Sequence, residues 1–190
     1  VDIALESPSR YLTFEFQGGE PLTNFDTIKY IIEYSKSNGK DKNIEYNLVS
    51  NLTLLTDEMI GFFKENDVSI CTSIDGNRQL QNTNRPYKGK DSYNETINKF
   101  KKLKENDIKV NAIETTTKYN LDKSKELVDE YIKLGLDSIF IRPLTKLGKA
   151  DKNWNKIGYS STDFLSFYKK TLDYIIEKNK VGIFLSEGHS

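Results

Sequence analysis

An apolar run, Leu12 to Phe16, is followed at once by Gln17, Gly18, Gly19, Glu20 and Pro21. Two adjacent glycines let a backbone take positive φ and let another molecule approach its carbonyls and amides closely. Glu20 adds a negative charge beside them. That set suits an ammonium group. Arg85 and Arg142 carry forked donors whose geometry matches a carboxylate. An ammonium and a carboxylate on one ligand describe something like an amino acid. Taken alone, the stretch from Gly18 to Pro21 also reads as a tight turn; the polar clusters elsewhere in the chain favour a site.

Those clusters sit where strands end. Strand candidates are Tyr11–Gln17, Asn43–Val49, Val68–Ile74, Ile108–Thr115, Ser138–Ile141 and Gly182–Leu185. Amphipathic stretches lie between them. One begins at Asn24 or Asp26 and stops at Gly39. Thr56 caps the next, with Asp57 and Glu58 in its first turn. Ser92 and Glu95 form an S-x-x-E capping box ahead of Ile97, Phe100 and Leu103. A fourth ends at Gly135, and Thr162 starts a long fifth. Strand and helix in alternation imply parallel strands joined by right-handed crossovers, in a barrel or a doubly wound sheet. Strands covered on both faces read as continuous apolar runs. These alternate instead: Leu12, Phe14 and Phe16 oppose Thr13, Glu15 and Gln17, and Ile44, Tyr46 and Leu48 oppose Glu45 and Asn47. The simplest arrangement is an α/β partial barrel, TIM-like, with helices outside and a wet polar face within. Ligands in such folds sit beyond the carboxyl ends of the strands. There the sequence places Gln17–Pro21, Ser50–Thr53, Ser73–Gly76, Glu114–Lys118 and Ile141–Leu144.

Composition narrows the rest. The 190 residues carry 28 basic and 28 acidic side chains, so no one-sign field draws in nucleic acid or an anionic membrane. One cysteine, Cys71, allows no internal disulfide framework and fits a reducing, cytoplasmic setting. It reads as a small, partly buried strand residue. No apolar run reaches membrane-spanning length. His189, near the end of the sequence, reads as surface, and Trp154 as loop packing. Gly89-Lys90-Asp91 lacks the spacing of a phosphate loop.

The strand followed by GGEP resembles the second strand of radical S-adenosylmethionine enzymes. Other stretches match in order. Val49 to Leu55, VSNLTLL, is similar to the third-strand motif TNGTLL, with Leu52 where glycine is common. SIDG at Ser73 resembles the SLDG of the peptide- and sulfatase-maturing branch. QNTNR, Gln81 to Arg85, is similar to the motif that follows it, with Gln81 replacing histidine. IFIRPLTKLGKA, Ile139 to Ala150, resembles a sixth-strand stretch. FEFQGGEPL, NRPYKGKDSY and IRPLTKLGKA together resemble the maturase of the His-Xaa-Ser peptide system. The resemblance implies that Gln17, Gly18, Gly19 and Glu20 face the methionine end of S-adenosylmethionine. It implies that Ser73 lies beside the cofactor's carboxylate or ribose and that Arg85 pairs with the carboxylate. It places Asn51 at the third-strand turn, and Arg142 and Leu144 near adenine and ribose. The implied substrate is a ribosomally made peptide or protein.

The family's chemistry uses a [4Fe–4S] cluster on a C-x-x-x-C-x-x-C loop, which cleaves S-adenosylmethionine to a 5′-deoxyadenosyl radical. Such clusters need several thiolates, and this sequence holds one cysteine. Residues 1–190 are therefore expected to be a single core fragment, with strands 2 to 6 of the partial barrel, a C-terminal helix and a short strand. On this expectation the first strand and the cluster ligands lie outside the chain, the fragment alone is inactive, and its exposed sheet edge invites self-association. Two other functions compete. One is a degenerate cofactor- or peptide-binding module without catalysis. The other is a hydrolase or lyase using Glu15, Glu20 and Asp75, which a close carboxylate pair with one raised pKa would support.

Overall fold

Period-two alternation becomes a layered arrangement because side chains on successive strand residues point to opposite faces. A computed structural model describes residues 1–188; His189 lies outside the described residues. The strands are β1 (Tyr11–Phe16), β2 (Asn43–Val49), β3 (Val68–Ser73), β4 (Val110–Thr116), β5 (Ser138–Pro143) and β6 (Ser186–Glu187). The helices are α1 (Asp2–Leu5), α2 (Phe25–Asn38), α3 (Asp57–Glu65), α4 (Arg78–Asn84), α5 (Ser92–Glu105), α6 (Ser124–Lys133), α7 (Lys149–Lys152), α8 (Trp154–Ile157) and α9 (Ser161–Lys180). The six-stranded sheet follows chain order from β1 to β6. The registered pairs β1–β2, β2–β3, β4–β5 and β5–β6 are all parallel. This is the parallel α/β order expected of a partial (β/α) barrel.

The described residues form two compact units. In the first, residues 1–72 and 96–110, register puts Phe14 beside Tyr46 and Glu15 beside Asn47, and Asn47 beside Ser69. One face is thus polar across three strands. Apolar residues of the opposite face and of the helices are buried: Leu48 and Ile70 with Ile28 and Ile32 of α2, Ile60 and Phe63 of α3, and Phe100 and Leu103 of α5. Phe25 meets Phe62 and Phe63 edge-on, with centroids 5.5 and 5.7 Å apart. In the second unit, residues 73–95 and 111 onward, Thr115 lies beside Arg142 and Glu114 beside Ile141. Its core holds Leu127, Val128 and Tyr131 of α6, Ile139 and Ile141 of β5, and Phe167 and Ile175 of α9. Each fully buried leucine, isoleucine or phenylalanine contributes roughly 1.5–3 kcal/mol over its exposed state.

Three sequence expectations shift. The Gly182–Leu185 strand does not form; β6 starts at Ser186. Leu185 is buried, its N–H donates to Asn179 Oδ1 at 2.8 Å and its carbonyl accepts from Asn179 Nδ2 at 3.0 Å. Both backbone groups are consumed, so no ladder can begin there. The helix entered near Ser92 is capped by Asp91, not by a Ser92–Glu95 box: Asp91 Oδ1 accepts from the Asn94 N–H at 3.1 Å, and its carboxylate also takes Arg78 Nε and Asn82 Nδ2. The long helix starts one residue earlier than Thr162. Ser160 and Asp163 make its reciprocal cap, at 3.2 Å and 3.0 Å. Thr56 caps α3 as expected, accepting from Met59 N–H at 3.3 Å. Among the described residues no helix is long and apolar enough to cross a membrane.

Leu52 combines a fully buried side chain with φ of +62°. A left-handed φ costs a leucine roughly 1–2 kcal/mol. Its burial outweighs that, since truncating a buried leucine to alanine costs about 2–5 kcal/mol. In the middle of a helix or strand glycine is worse than alanine by roughly 0.5–1 kcal/mol. At Leu52 the order reverses: urea unfolding should find Leu52→Gly at least as stable as Leu52→Ala, with both below the parent.

Candidate functional site

The two glycines after β1 open onto space. A Cβ built on Gly18 or Gly19 would meet no atom within 4 Å, and Gly18 has φ of +140°. Gln17, Gly18 and Gly19 are exposed. Glu20 is not a loose charge beside them. Its Oε1 accepts from the Leu22 N–H at 3.1 Å and the Ser50 hydroxyl at 2.7 Å, and its Oε2 accepts from the Asn51 N–H at 2.9 Å. The carboxylate is a strut joining the turn after β1 to the turn after β2. Ser50 Oγ in turn accepts from the Leu52 N–H, and Asn51 Oδ1 from the Thr53 N–H. The Leu52 and Thr53 carbonyls accept from Lys99 Nζ at 2.8 and 2.6 Å. Gln17, Gly18, Gly19, Glu20 and Asn51 are thus gathered at the carboxyl ends of β1 and β2. Glu20 accepts three hydrogen bonds from its own chain.

At the end of β3 the structure builds around Asp75, which is 1% exposed. Arg85 grips it side-on: Nε donates to Oδ2 at 2.7 Å and Nη2 to Oδ1 at 3.1 Å. The Thr115 N–H also donates to Oδ1 at 3.1 Å. A buried carboxylate is tolerable only when paired and hydrogen-bonded, and this one is both. Arg85, expected to meet a ligand carboxylate, already holds an internal one on its Nε edge. Its side chain remains 33% exposed, so the guanidinium reaches from the buried acid to solvent. Ser73 is half-buried at the same strand end. Arg142 is exposed at the end of β5, in register with Thr115. Leu144 follows β5 and donates its N–H to Tyr159 Oη at 2.6 Å. The second unit therefore brings Ser73, Arg85 and Arg142 to strand ends.

In the sequence Glu114 is marked only as a member of the polar cluster Glu114–Lys118. It is fully buried on the face it shares with Ile141. Its Oε2 accepts from Thr116 Oγ1 at 2.8 Å, and Oε1 has no recorded partner among the described residues. Burial, then the nearby Asp75 charge, pushes its pKa well above the usual carboxylate range. A raised carboxylate near another is what an acid–base hydrolase would need, but Glu114 has no exposure through which to meet substrate. Glu20 and Asp75 are committed to internal donors. Glu20, Asp75 and Glu114 serve the architecture.

Cys71 is half-buried, and burial followed by the Glu15 charge pushes its thiol up to about 11. A metal-binding thiolate needs the opposite shift. Among the described residues no group of three or more His, Cys, Asp or Glu side chains could hold a metal ion. The residues present do not fit an iron–sulfur cluster.

The sequence profile of the radical SAM superfamily matches residues 3–120, well over half of the chain. The chain belongs to the radical SAM superfamily. An uncharacterized protein of Methanocaldococcus jannaschii is 35% identical over 129 residues, covering 67% of this chain and 45% of that protein. A cysteine-type anaerobic sulfatase-maturating enzyme of Clostridium perfringens is 26% identical over 197 residues, covering 99% of this chain and 53% of the enzyme. The solved structure of native anSMEcpe with bound AdoMet and the Kp18Cys peptide superposes with a TM-score of 0.86 at 21% identity, over 96% of this chain and 51% of that chain. That likeness shows the fold. The radical SAM chain spans about half the length of these two curated relatives.

Two features of this radical SAM chain went unseen in the sequence. Glu20 as a strut needed the proximity of Ser50 and Asn51, thirty residues on. Glu114 as a buried acid had one signal available: its place on the apolar face of β4, two residues from Ala112. The sign of its effect on stability follows from its raised folded pKa. The folded state holds the Glu114 proton above the pH at which the unfolded chain releases it, so its contribution to stability is full at acid pH. That contribution is lost as pH rises from the ordinary glutamate range through the folded pKa. Glu114→Gln removes this dependence. Its stability advantage over the parent, from urea midpoints, should be larger at about pH 8 than at about pH 5; an advantage equal at both would contradict it.

Proposed function

We propose that this chain grips the methionine end of S-adenosylmethionine at its strand ends, as part of a maturase that modifies a ribosomally made peptide or protein. The observation that carries the reading is the open approach to Gly18 and Gly19, on a turn held still by the Glu20 strut. Backbone carbonyls at such a turn accept from an ammonium, with the Glu20 charge behind them. Arg85 and Ser73 take the carboxylate, the first through the guanidinium edge not turned to Asp75. Arg142 and Leu144, at the end of β5, serve the adenosine, and Asn51 completes the turn after β2. Bound S-adenosylmethionine, with the [4Fe–4S] cluster of the superfamily, would supply hydrogen-atom abstraction. This chain's own part is to bind and orient the cofactor. Support for a peptide substrate comes from the AdoMet- and peptide-bound anSMEcpe structure, whose fold this chain shares. A reducing, cytoplasmic setting is part of the same reading.

A second reading is a cofactor- or peptide-binding module without catalysis, which differs from the first in whether the whole protein carries the cluster cysteines. Anaerobic iron–sulfur reconstitution of the whole gene product separates the two by whether a cluster absorbance appears.

Gly19→Val tests the site itself. The added side chain meets nothing of its own chain near the Cβ, so thermal unfolding should move by no more than a few degrees. Calorimetry should show S-adenosylmethionine affinity falling by more than about tenfold, since branching blocks close backbone approach. Unchanged affinity would remove this turn from the site.

A further inference from the structure

The last residues of β3 are held by side chains to an unusual degree. From the Ser73 carbonyl to the Asp75 carbonyl there are five consecutive backbone polar groups. The Ile74 N–H makes a ladder bond to the Ile113 carbonyl at 3.0 Å. The other four go to side chains. Gln81 takes two, accepting from the Asp75 N–H at 2.7 Å and donating to the Ser73 carbonyl at 3.1 Å. Tyr131 Oη donates to the Ile74 carbonyl at 2.8 Å, and Asn120 Nδ2 to the Asp75 carbonyl at 2.8 Å. Satisfying backbone groups this way fixes φ and ψ more tightly than solvent would.

Asn120 differs from the other two because of what its second end does. It is fully buried. Its Oδ1 accepts from Asn84 Nδ2 at 2.8 Å and from the Thr117 N–H at 3.1 Å. Thr117 Oγ1 lies 2.7 Å from Asn84 Oδ1 and 3.0 Å from Asn120 Oδ1, its one proton serving one of them at a time. Asn84 is the residue before Arg85. One carboxamide therefore ties the backbone of the acid, Asp75, to the neighbour of its base, Arg85. It sets the spacing across which the guanidinium must lie.

We propose that Asn120 is a positioning residue: it holds Asp75 and Arg85 at the separation that makes their pair side-on, so that the guanidinium's remaining edge meets the carboxylate end of a bound ligand. This rests on the reading of Arg85 as ligand-facing. A misplacement of a fork by a fraction of its width forfeits one of its two parallel bonds, which is why such spacing matters for planar recognition.

The test uses two measurements on the parent and on Asn120→Asp, which keeps the acceptor and size but loses the donor to Asp75. The first needs no ligand. The Arg85 Nε–H, bound to buried Asp75, should exchange slowly with solvent by NMR in the parent, and about tenfold or more faster in the variant, a loss the size of one hydrogen bond. The second is calorimetry with S-adenosylmethionine and with 5′-methylthioadenosine, which has the adenosine thioether but no amino-acid end. Asn120→Asp should weaken the first by about tenfold and leave the second within about twofold. Equal losses for both ligands mark a merely structural role and overturn the proposal, as does an unchanged Nε–H exchange rate. A parent that binds neither ligand overturns the functional reading instead, and the exchange rate still judges the positioning claim. Should Asn120→Asp fail to fold, Asn84→Ala cuts the other end of the same bridge and is judged by the same two readouts.

Discussion

A strand that ends must find new partners for the backbone groups its neighbour no longer serves. That constraint shapes both units of this chain. After β1 and β2 the donors are met by one carboxylate, Glu20, which takes two backbone amides and a hydroxyl. After β3 the task falls to Gln81, Tyr131 and Asn120. In both places the satisfied turn is stiff, and what it leaves facing outward is a polar surface of fixed geometry: two glycines in one unit, a half-exposed guanidinium in the other. Function in α/β proteins gathers at such strand ends for this reason, since rigid turns can aim groups that mobile loops cannot.

The distribution of charge follows from the same constraint. Asp75 is tolerated inside because Arg85 and the Thr115 amide hydrogen-bond its carboxylate. Glu114, on the buried face of the next strand, accepts from one hydroxyl among the described residues, and burial drives it toward the neutral acid. Two neighbouring buried carboxylates thus have different partners, a guanidinium for Asp75 and a single hydroxyl for Glu114. Neither is available as an acid–base pair for hydrolysis, and the radical SAM membership of the chain agrees with their structural employment.

Local pattern carried much of this into view. The alternation of Leu12, Phe14 and Phe16 with polar residues, and the strand–helix repeat, were enough for a parallel α/β architecture, because burial on one face is written at every second position. The glycine turn was visible because few other sequences permit that backbone. What stayed hidden depends on residues distant in sequence. Glu20 looked like a ligand group, since nothing in GGEP announces Ser50 and Asn51. Asn120 has no local signal, since its partners lie 36 and 45 residues away. The Ser92–Glu95 box lost to Asp91, a rival acceptor one residue earlier that also had Arg78 and Asn82 to bind. The Gly182–Leu185 strand lost to Asn179, whose amide took both backbone groups of Leu185.

The central claim is that the carboxyl ends of these strands recognise the zwitterionic end of S-adenosylmethionine. Amide chemical-shift mapping on the isotope-labelled 190-residue chain tests it most directly. Titration with S-adenosylmethionine should move the amides of Gly18, Gly19 and Ser73 and the side-chain Nε–H of Arg85, and should leave the outer helical cleft lined by Lys125, Lys170 and Tyr174 unmoved. Shifts confined to that cleft, or none at the glycine turn, would contradict the account.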